Sequence, residues 1–192
     1  ELVFHLFTRD NHVMPTHNAG VRERFARVLA QRGVQVHTGA DVREVTAGHL
    51  ATADGQTLAA DEMMWVTQAG GPAWLRDTGL ALDDSGFVRV TADLQSVSDA
   101  RIFAAGDVAA FEPRPLEKAG VFAVRMGAPL ADNLRRSARG EPLRPYHPQR
   151  HWLALISTGD RYAVASRGQG PLGLRLGGEW VWRWKDWIDR RF

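Results

Sequence analysis

The stretch Ala100-Arg101-Ile102-Phe103-Ala104-Ala105-Gly106-Asp107-Val108-Ala109 runs an apolar segment into a Gly-Asp turn, and a helix is expected to open shortly after, at Lys118-Ala119-Gly120-Val121. Glycine at 106 lets backbone come close to a bulky ligand, and Asp107 aims a carboxylate beyond the strand end. A carboxylate in that place suits the hydroxyls of a sugar-alcohol chain. An ordinary strand end closed by an Asp turn would use the same two residues.

The helix start offers a complementary chemistry. Its first backbone N–H groups, with about half a unit of positive charge from aligned peptide dipoles, would stabilise an electron-rich ring edge such as the pyrimidine side of a flavin. Ala119 and Gly120 are small enough for a ring to lie against the backbone, and Lys118 could add a full charge. A plain amphipathic helix with Val121, Val124 and Leu134 in the core fits the same residues. No residue is singled out as catalytic.

Other patterns carry less. Gly168-Gln169-Gly170-Pro171-Leu172-Gly173 satisfies G-x-G-x-x-G, but Leu174-Arg175-Leu176-Gly177-Gly178 after it is poor helix, so a hairpin loop is expected rather than a phosphate cradle. His147 and His151 have the i, i+4 spacing of a metal pair, yet Pro145 and Pro148 disfavour a helix there, and no metal site is expected. Asp83-Asp84-Ser85-Gly86 reads as turn chemistry. With no cysteine in 192 residues, dithiol chemistry, disulfides and thiolate zinc are excluded from this chain. G-x-S-x-G, a Walker lysine loop and H-E-x-x-H are likewise missing from the sequence, which leaves hydrolase readings without an anchor.

The elements that must position these groups are read from periodicity. Residues 2–8 form a strand, and residues 19–32 an amphipathic helix with Val21, Phe25, Val28 and Leu29 on one face, ended by Gly33. Residues 33–37 are the next strand. Pieces at 42–45, 49–52, 57–59 and 62–66, with Asp54-Gly55 as a turn, predict a β-meander returning to a core strand. Residues 70–84 read as a loop and short helical turn, residues 86–90 start the crossover into a second region, and a strand over 102–105 and a helix over 119–139 follow. Pro142, Pro145 and Pro148 mark a linker, after which 152–157 and 162–166 are strands of a small β-rich tail. The chain ends in a run holding four of its seven tryptophans. Read as a helix, it puts Trp180, Trp184, Trp187 and Ile188 on one face, which either packs on the protein or lies on a membrane surface.

Composition narrows the classes further. At 44% hydrophobic the chain can bury a core, and a formal charge of +2 without a basic stripe makes nucleic acid an unexpected partner. No apolar run reaches 18 residues and no basic leader is present, so a cytoplasmic location is expected, with peripheral contact on the inner membrane face as the alternative the tail suggests. The start on Glu1, inside a strand-like run, reads as a fragment.

Trp65-Val66-Thr67-Gln68-Ala69-Gly70-Gly71-Pro72, Gly79-Leu80-Ala81-Leu82-Asp83, Gly86-Phe87-Val88, Leu94-Gln95-Ser96, Phe103-Ala104-Ala105-Gly106-Asp107 and Ala119-Gly120-Val121-Phe122-Ala123-Val124-Arg125 occur in an order that resembles FAD-dependent pyridine nucleotide-disulfide oxidoreductases. The likeness is greatest to the NADH dehydrogenase-like branch, in particular the flavoprotein often fused to selenide, water dikinase, with Ser157-Thr158-Gly159-Asp160 and Trp182-Arg183-Trp184-Lys185-Asp186 adding to it. The resemblance implies an α/β, partial two-dinucleotide-binding (FAD/NAD(P)) flavoprotein fold with a β-rich C-terminal tail. Its divisions would be the back half of an NAD(P)-binding domain over 1–86, a segment of the FAD-binding domain over 87–141, and the tail over 142–192.

It further implies transfer of hydride from NAD(P)H to FAD and onward to a second acceptor. Gly106 and Asp107 would hold the ribityl chain, Lys118, Ala119, Gly120 and Val121 the pyrimidine edge, and Thr67, Gln68 and Ala69 would lie near the cofactors. Gln68 stands where relatives have a glycine. Thr8-Arg9 follows the first strand where relatives supply an acid to the adenine ribose, so Arg9 could meet a 2′-phosphate instead. Neither glycine fingerprint is in the chain, and the partner expected is the missing N-terminal half of the same polypeptide, beside an unknown electron acceptor. The alternative reading is a non-catalytic docking or regulatory module derived from a flavoprotein.

Overall fold

A computed structural model describes residues 2–67, 70–168 and 173–191. The chain is mixed α/β and divides into two compact units, Glu1–Trp65 with His151–Phe192, and Val66–Arg150.

In the first unit, β1 (His5–Thr8) and β2 (Gln35–Thr38) pair in parallel, with His5 opposite Gln35 and Thr8 opposite Thr38. Parallel neighbours need a crossover, and α1 (Ala19–Gln31) supplies it. Asn18 starts the helix by accepting the Val21 N–H at 3.1 Å. Gly33, at φ +69°, ends it as expected: its N–H reaches Ala30 O at 3.0 Å and the Val34 N–H reaches Leu29 O at 3.0 Å, the paired bonds of a Schellman cap. The strands β3 (Val42–Thr46), β4 (His49–Thr52) and β5 (Thr57–Ala59) form the antiparallel meander in that order.

The fourth expected piece of the meander is not a strand. Residues 62–66 have no ladder partner, and Met64 and Val66 are 87% and 85% exposed. Apolar, β-branched composition favours a pleated surface only where a neighbouring edge exists to pair with, and among the described residues there is none.

The tail of this unit is an antiparallel sheet of β8 (Ala154–Gly159), β9 (Tyr162–Arg167) and β10 (Leu174–Gly178), ordered β10-β9-β8, covered by α3 (Glu179–Asp189). Leu174 pairs with Arg167 across the loop that holds the rejected glycine pattern, so antiparallel strands flank it and no helix follows it directly. Residues 169–172 lie outside the described set. Val181 and Trp182 of α3 pack on Ala163, Ala165, Leu153 and Leu155. The aromatic face expected of α3 is therefore divided. Trp180 and Trp187 stay about half exposed, and Val181 is the buried anchor, because β-sheet packing selects the side that meets Ala163 and Ala165. The sheet also holds α1 through Asn18 Nδ2, which donates to Gly168 O and Leu174 O, and through His17 Nδ1 and Ser166 Oγ, 2.9 Å apart.

The second unit is built on a parallel pair, β6 (Val88–Val90) and β7 (Ala109–Phe111), with the long helix α2 (Gly120–Ala138). Its core joins Leu75, Val88, Val90, Leu94, Phe111 and Met126. The expected strand over 102–105 is only a short extended segment. It crosses Leu94–Ser96 through two bonds, Ser96 N–H to Ile102 O at 2.8 Å and Ala104 N–H to Leu94 O at 3.0 Å, with one bridge at Gln95 and Phe103. The true ladder comes after the Gly-Asp turn, in β7. The core face of α2 also differs from expectation: Val124 and Leu134 are exposed, while Phe122, Met126 and Asn133 are buried. Those three recur at spacings of four and seven, one helical stripe. Asn133 belongs to it because Nδ2 donates to Asp93 O and Arg144 O, both at 2.8 Å, and Oδ1 accepts from Arg144 N at 2.9 Å.

Candidate functional site

Ala105 is extended, and Gly106–Val108 then form a single 3-10 turn leading straight into β7. Gly106 has φ +70°, a conformation that disfavours any side chain. Its N–H donates to Met126 Sδ at 3.1 Å, and a Cβ built on it would lie 3.2 Å from Ala123 Cβ. The turn is thus seated on the first two turns of α2, and Val108 packs against the core. Asp107, between those anchors, is exposed, and its carboxylate accepts no hydrogen bond among the described residues. A short acid held on a fixed turn with open lone pairs can receive hydroxyl donors from outside the chain.

The start of α2 is also left open. Ala119, extended at φ −129° and ψ 138°, caps it without a side-chain bond. The N–H groups of Gly120 and Val121 find no acceptor among the described residues. Nothing lies within 4 Å of a Cβ built on Gly120. Unpaired donors at the positive end of a 19-residue helix form an acceptor-seeking edge.

Lys118 sits otherwise than a free charge would. Its Nζ donates to Ala109 O at 2.7 Å and stands 3.9 Å from the centroid of the Phe87 ring. Burial pushes its pKa below the usual lysine value, opposed by the negative charges of Asp83 and Asp107. The ammonium binds a β7 carbonyl and an aromatic face, and through the field of Asp107 it is coupled to the turn.

Thr67 is exposed and makes no hydrogen bond among the described residues, while Gln68 and Ala69 lie outside them. Immediately after, Gly71 donates to Ser85 O at 2.8 Å, and a Cβ on it would collide with the Gly86 carbonyl. Asp83 closes that turn by accepting from Ser85 N at 3.0 Å and Phe87 N at 2.9 Å, the turn chemistry its sequence suggested. The structure therefore brings Gly106, Asp107, Lys118 and Ala119–Val121 into one unit. Met126, Ala123 and Phe87, which hold the turn and the lysine, were not among the expected site residues. The spacing of Phe122 and Met126 by four was the available sign of an inward helix face.

The family model for "Pyridine nucleotide-disulphide oxidoreductase" matches residues 3–127. Among solved structures, the sulfide:quinone oxidoreductase from the hyperthermophilic bacterium Aquifex aeolicus superposes with a TM-score of 0.78 at 18% identity, over 98% of this chain and 48% of that one. The reduced CoADR-RHD of Bacillus anthracis gives 0.67 at 18% identity, over 88% of this chain and 31% of that one. The chain spans about half the length, or less, of these neighbours.

Proposed function

The chain belongs to the pyridine nucleotide-disulphide oxidoreductase family, and from that membership we propose that it forms part of a flavin-dependent NAD(P)H oxidoreductase that passes electrons to a second acceptor. The observation that carries the reading is the presence, within one unit, of an Asp107 carboxylate and of Gly120 and Val121 N–H groups that have no hydrogen-bond partner among the described residues. These groups fit FAD: an acid for the ribityl hydroxyls and helix-end donors for the pyrimidine edge. When bound, the flavin would supply the hydride-accepting ring. Asp107 would fix the chain that carries the ring, and Gly106 would keep backbone, not side chain, beside it. The α2 dipole would favour negative charge at the ring edge, the direction needed for hydride acceptance. Lys118 would contribute by holding β7 and by its field on Asp107.

The phosphates of FAD and NAD(P)H would be held by the N-terminal half of the same polypeptide, since no glycine fingerprint opening a helix occurs here. Within the family we place the chain in the NADH dehydrogenase-like branch, on the ordered motifs that suggest it. A cytoplasmic site is the reading for the whole, with α3 as the membrane-facing element through Trp180 and Trp187. Absorbance of the purified full-length polypeptide tests the function. A yellow flavin band that bleaches with NADH or NADPH is expected, and Asp107→Ala should lower flavin retention at least tenfold. A normally folded protein with no flavin band would overturn the reading and favour the docking or regulatory module.

A further inference from the structure

The first unit holds a constellation that the flavin reading does not use. A cleft of about 220 Å³ opens between α1 and the β9–β10 hairpin, walled by Glu23, Arg24 and Arg27 from the helix and by Val164 and Arg175 from the strands. Two glycines shape it reciprocally. A Cβ on Gly20 of α1 would lie 2.5 Å from Arg175 Cδ and 2.6 Å from its Nη1, and a Cβ on Gly177 of β10 would collide with the Arg24 guanidinium. Each arginine thus lies across the glycine of the facing element.

Arg24 is fixed by its Nη1 donating to Tyr162 Oη at 3.1 Å. Arg27 and Arg175 make no hydrogen bond or ion pair among the described residues, and neither does Glu23. Three guanidinium groups against one carboxylate therefore share a cleft whose floor includes the buried Val164. With three positive charges against one negative, the array favours an anion, and planar guanidinium forks match phosphate oxygens in pairs. Clefts that enclose drug-sized ligands run to roughly 300–1,000 Å³, so this one accommodates a phosphate-sized group rather than a whole cofactor.

We propose that this cleft binds the phosphate group of a soluble phosphorylated ligand, with Arg27 and Arg175 on its oxygens and Arg24, braced by Tyr162, completing the cradle. The site is independent of the Asp107 turn, and its failure would leave the flavin reading untouched. Calorimetric titration of the full-length polypeptide with sodium pyrophosphate, against sodium chloride at matched ionic strength, tests it. Saturable binding is expected in the natural protein. It should fall at least tenfold in Arg175→Gln, recover in part in Arg175→Lys, and stay unchanged in Arg183→Gln on α3. Should Arg175→Gln melt earlier than the natural protein, Arg27→Gln, on an exposed helix position, gives the same reading. Absence of saturable pyrophosphate binding, or equal binding in all variants, would overturn the proposal. So would binding confined to phosphatidylglycerol vesicles, which would make a lipid headgroup the source.

Discussion

The backbone N–H of Gly106 donates to the thioether of Met126 at 3.1 Å, fastening the turn that presents Asp107 to the second turn of α2. The acid's placement therefore depends on a helix residue 20 positions further along the chain.

Gly106→Ala should loosen that joint. A methyl group would face Ala123 Cβ at 3.2 Å on a backbone held at φ +70°. The left-handed conformation alone disfavours a side chain by roughly 1–2 kcal/mol. Urea unfolding of the full-length protein should show about 2 kcal/mol of lost stability, with weaker flavin retention than in Met126→Leu. A stability equal to the natural protein would mean the turn is not tied to α2 as described.

Gly71→Ala should be more severe, because the added carbon meets the Gly86 carbonyl and the Phe87 nitrogen, both backbone. Backbone cannot step aside as a rotamer does, and overpacking of this kind costs about 3 kcal/mol or more. Expression as insoluble or protease-sensitive protein is the expected outcome, whereas Gly120→Ala, with open space around it, should fold normally.

Asn133 is fully buried and bonds Asp93 O and both polar backbone groups of Arg144. Asn133→Ala strands two carbonyls and one N–H, and with each net bond worth about 1 kcal/mol the loss should approach about 3 kcal/mol. A thermal melt unchanged from the natural protein would contradict the network.

His17 gives the first unit a pH dependence. Burial holds its imidazole below the ordinary value of 6.5, beside Ser166 Oγ. The unfolded chain then binds the proton more readily than the folded one, so the contribution is full above pH 6.5 and declines as the pH falls below it. Urea midpoints taken from about pH 8 down to about pH 5 should fall, and His17→Gln should flatten that slope. Identical slopes would remove the assignment.

Much of the architecture was legible from spacing and punctuation. Gly33 ends α1, Asp54-Gly55 turns the meander, and the prolines at 142–148 precede the tail sheet, since helix ends and turns are local chemistry that needs no partner. The order of flavoprotein-like motifs likewise pointed to the family. Periodicity misled where a pattern depended on a distant neighbour. Residues 62–66 have strand composition without an edge to pair with among the described residues, and the strand beside the Gly-Asp turn lies after it, in β7, because Val88–Val90 fixes the register there.

The sequence by itself determined the residue types of the site: a glycine, an acid, a lysine and a helix start in the right succession. Only the tertiary structure decided their states. It turned the Lys118 ammonium onto Ala109 O and Phe87, left Asp107 and the Gly120 and Val121 N–H groups without partners among the described residues, and folded Arg24 and Arg175 across each other's glycines. Which charge is satisfied and which remains open is a matter of burial and contact between segments far apart in the chain, and one-dimensional spacing does not carry that information.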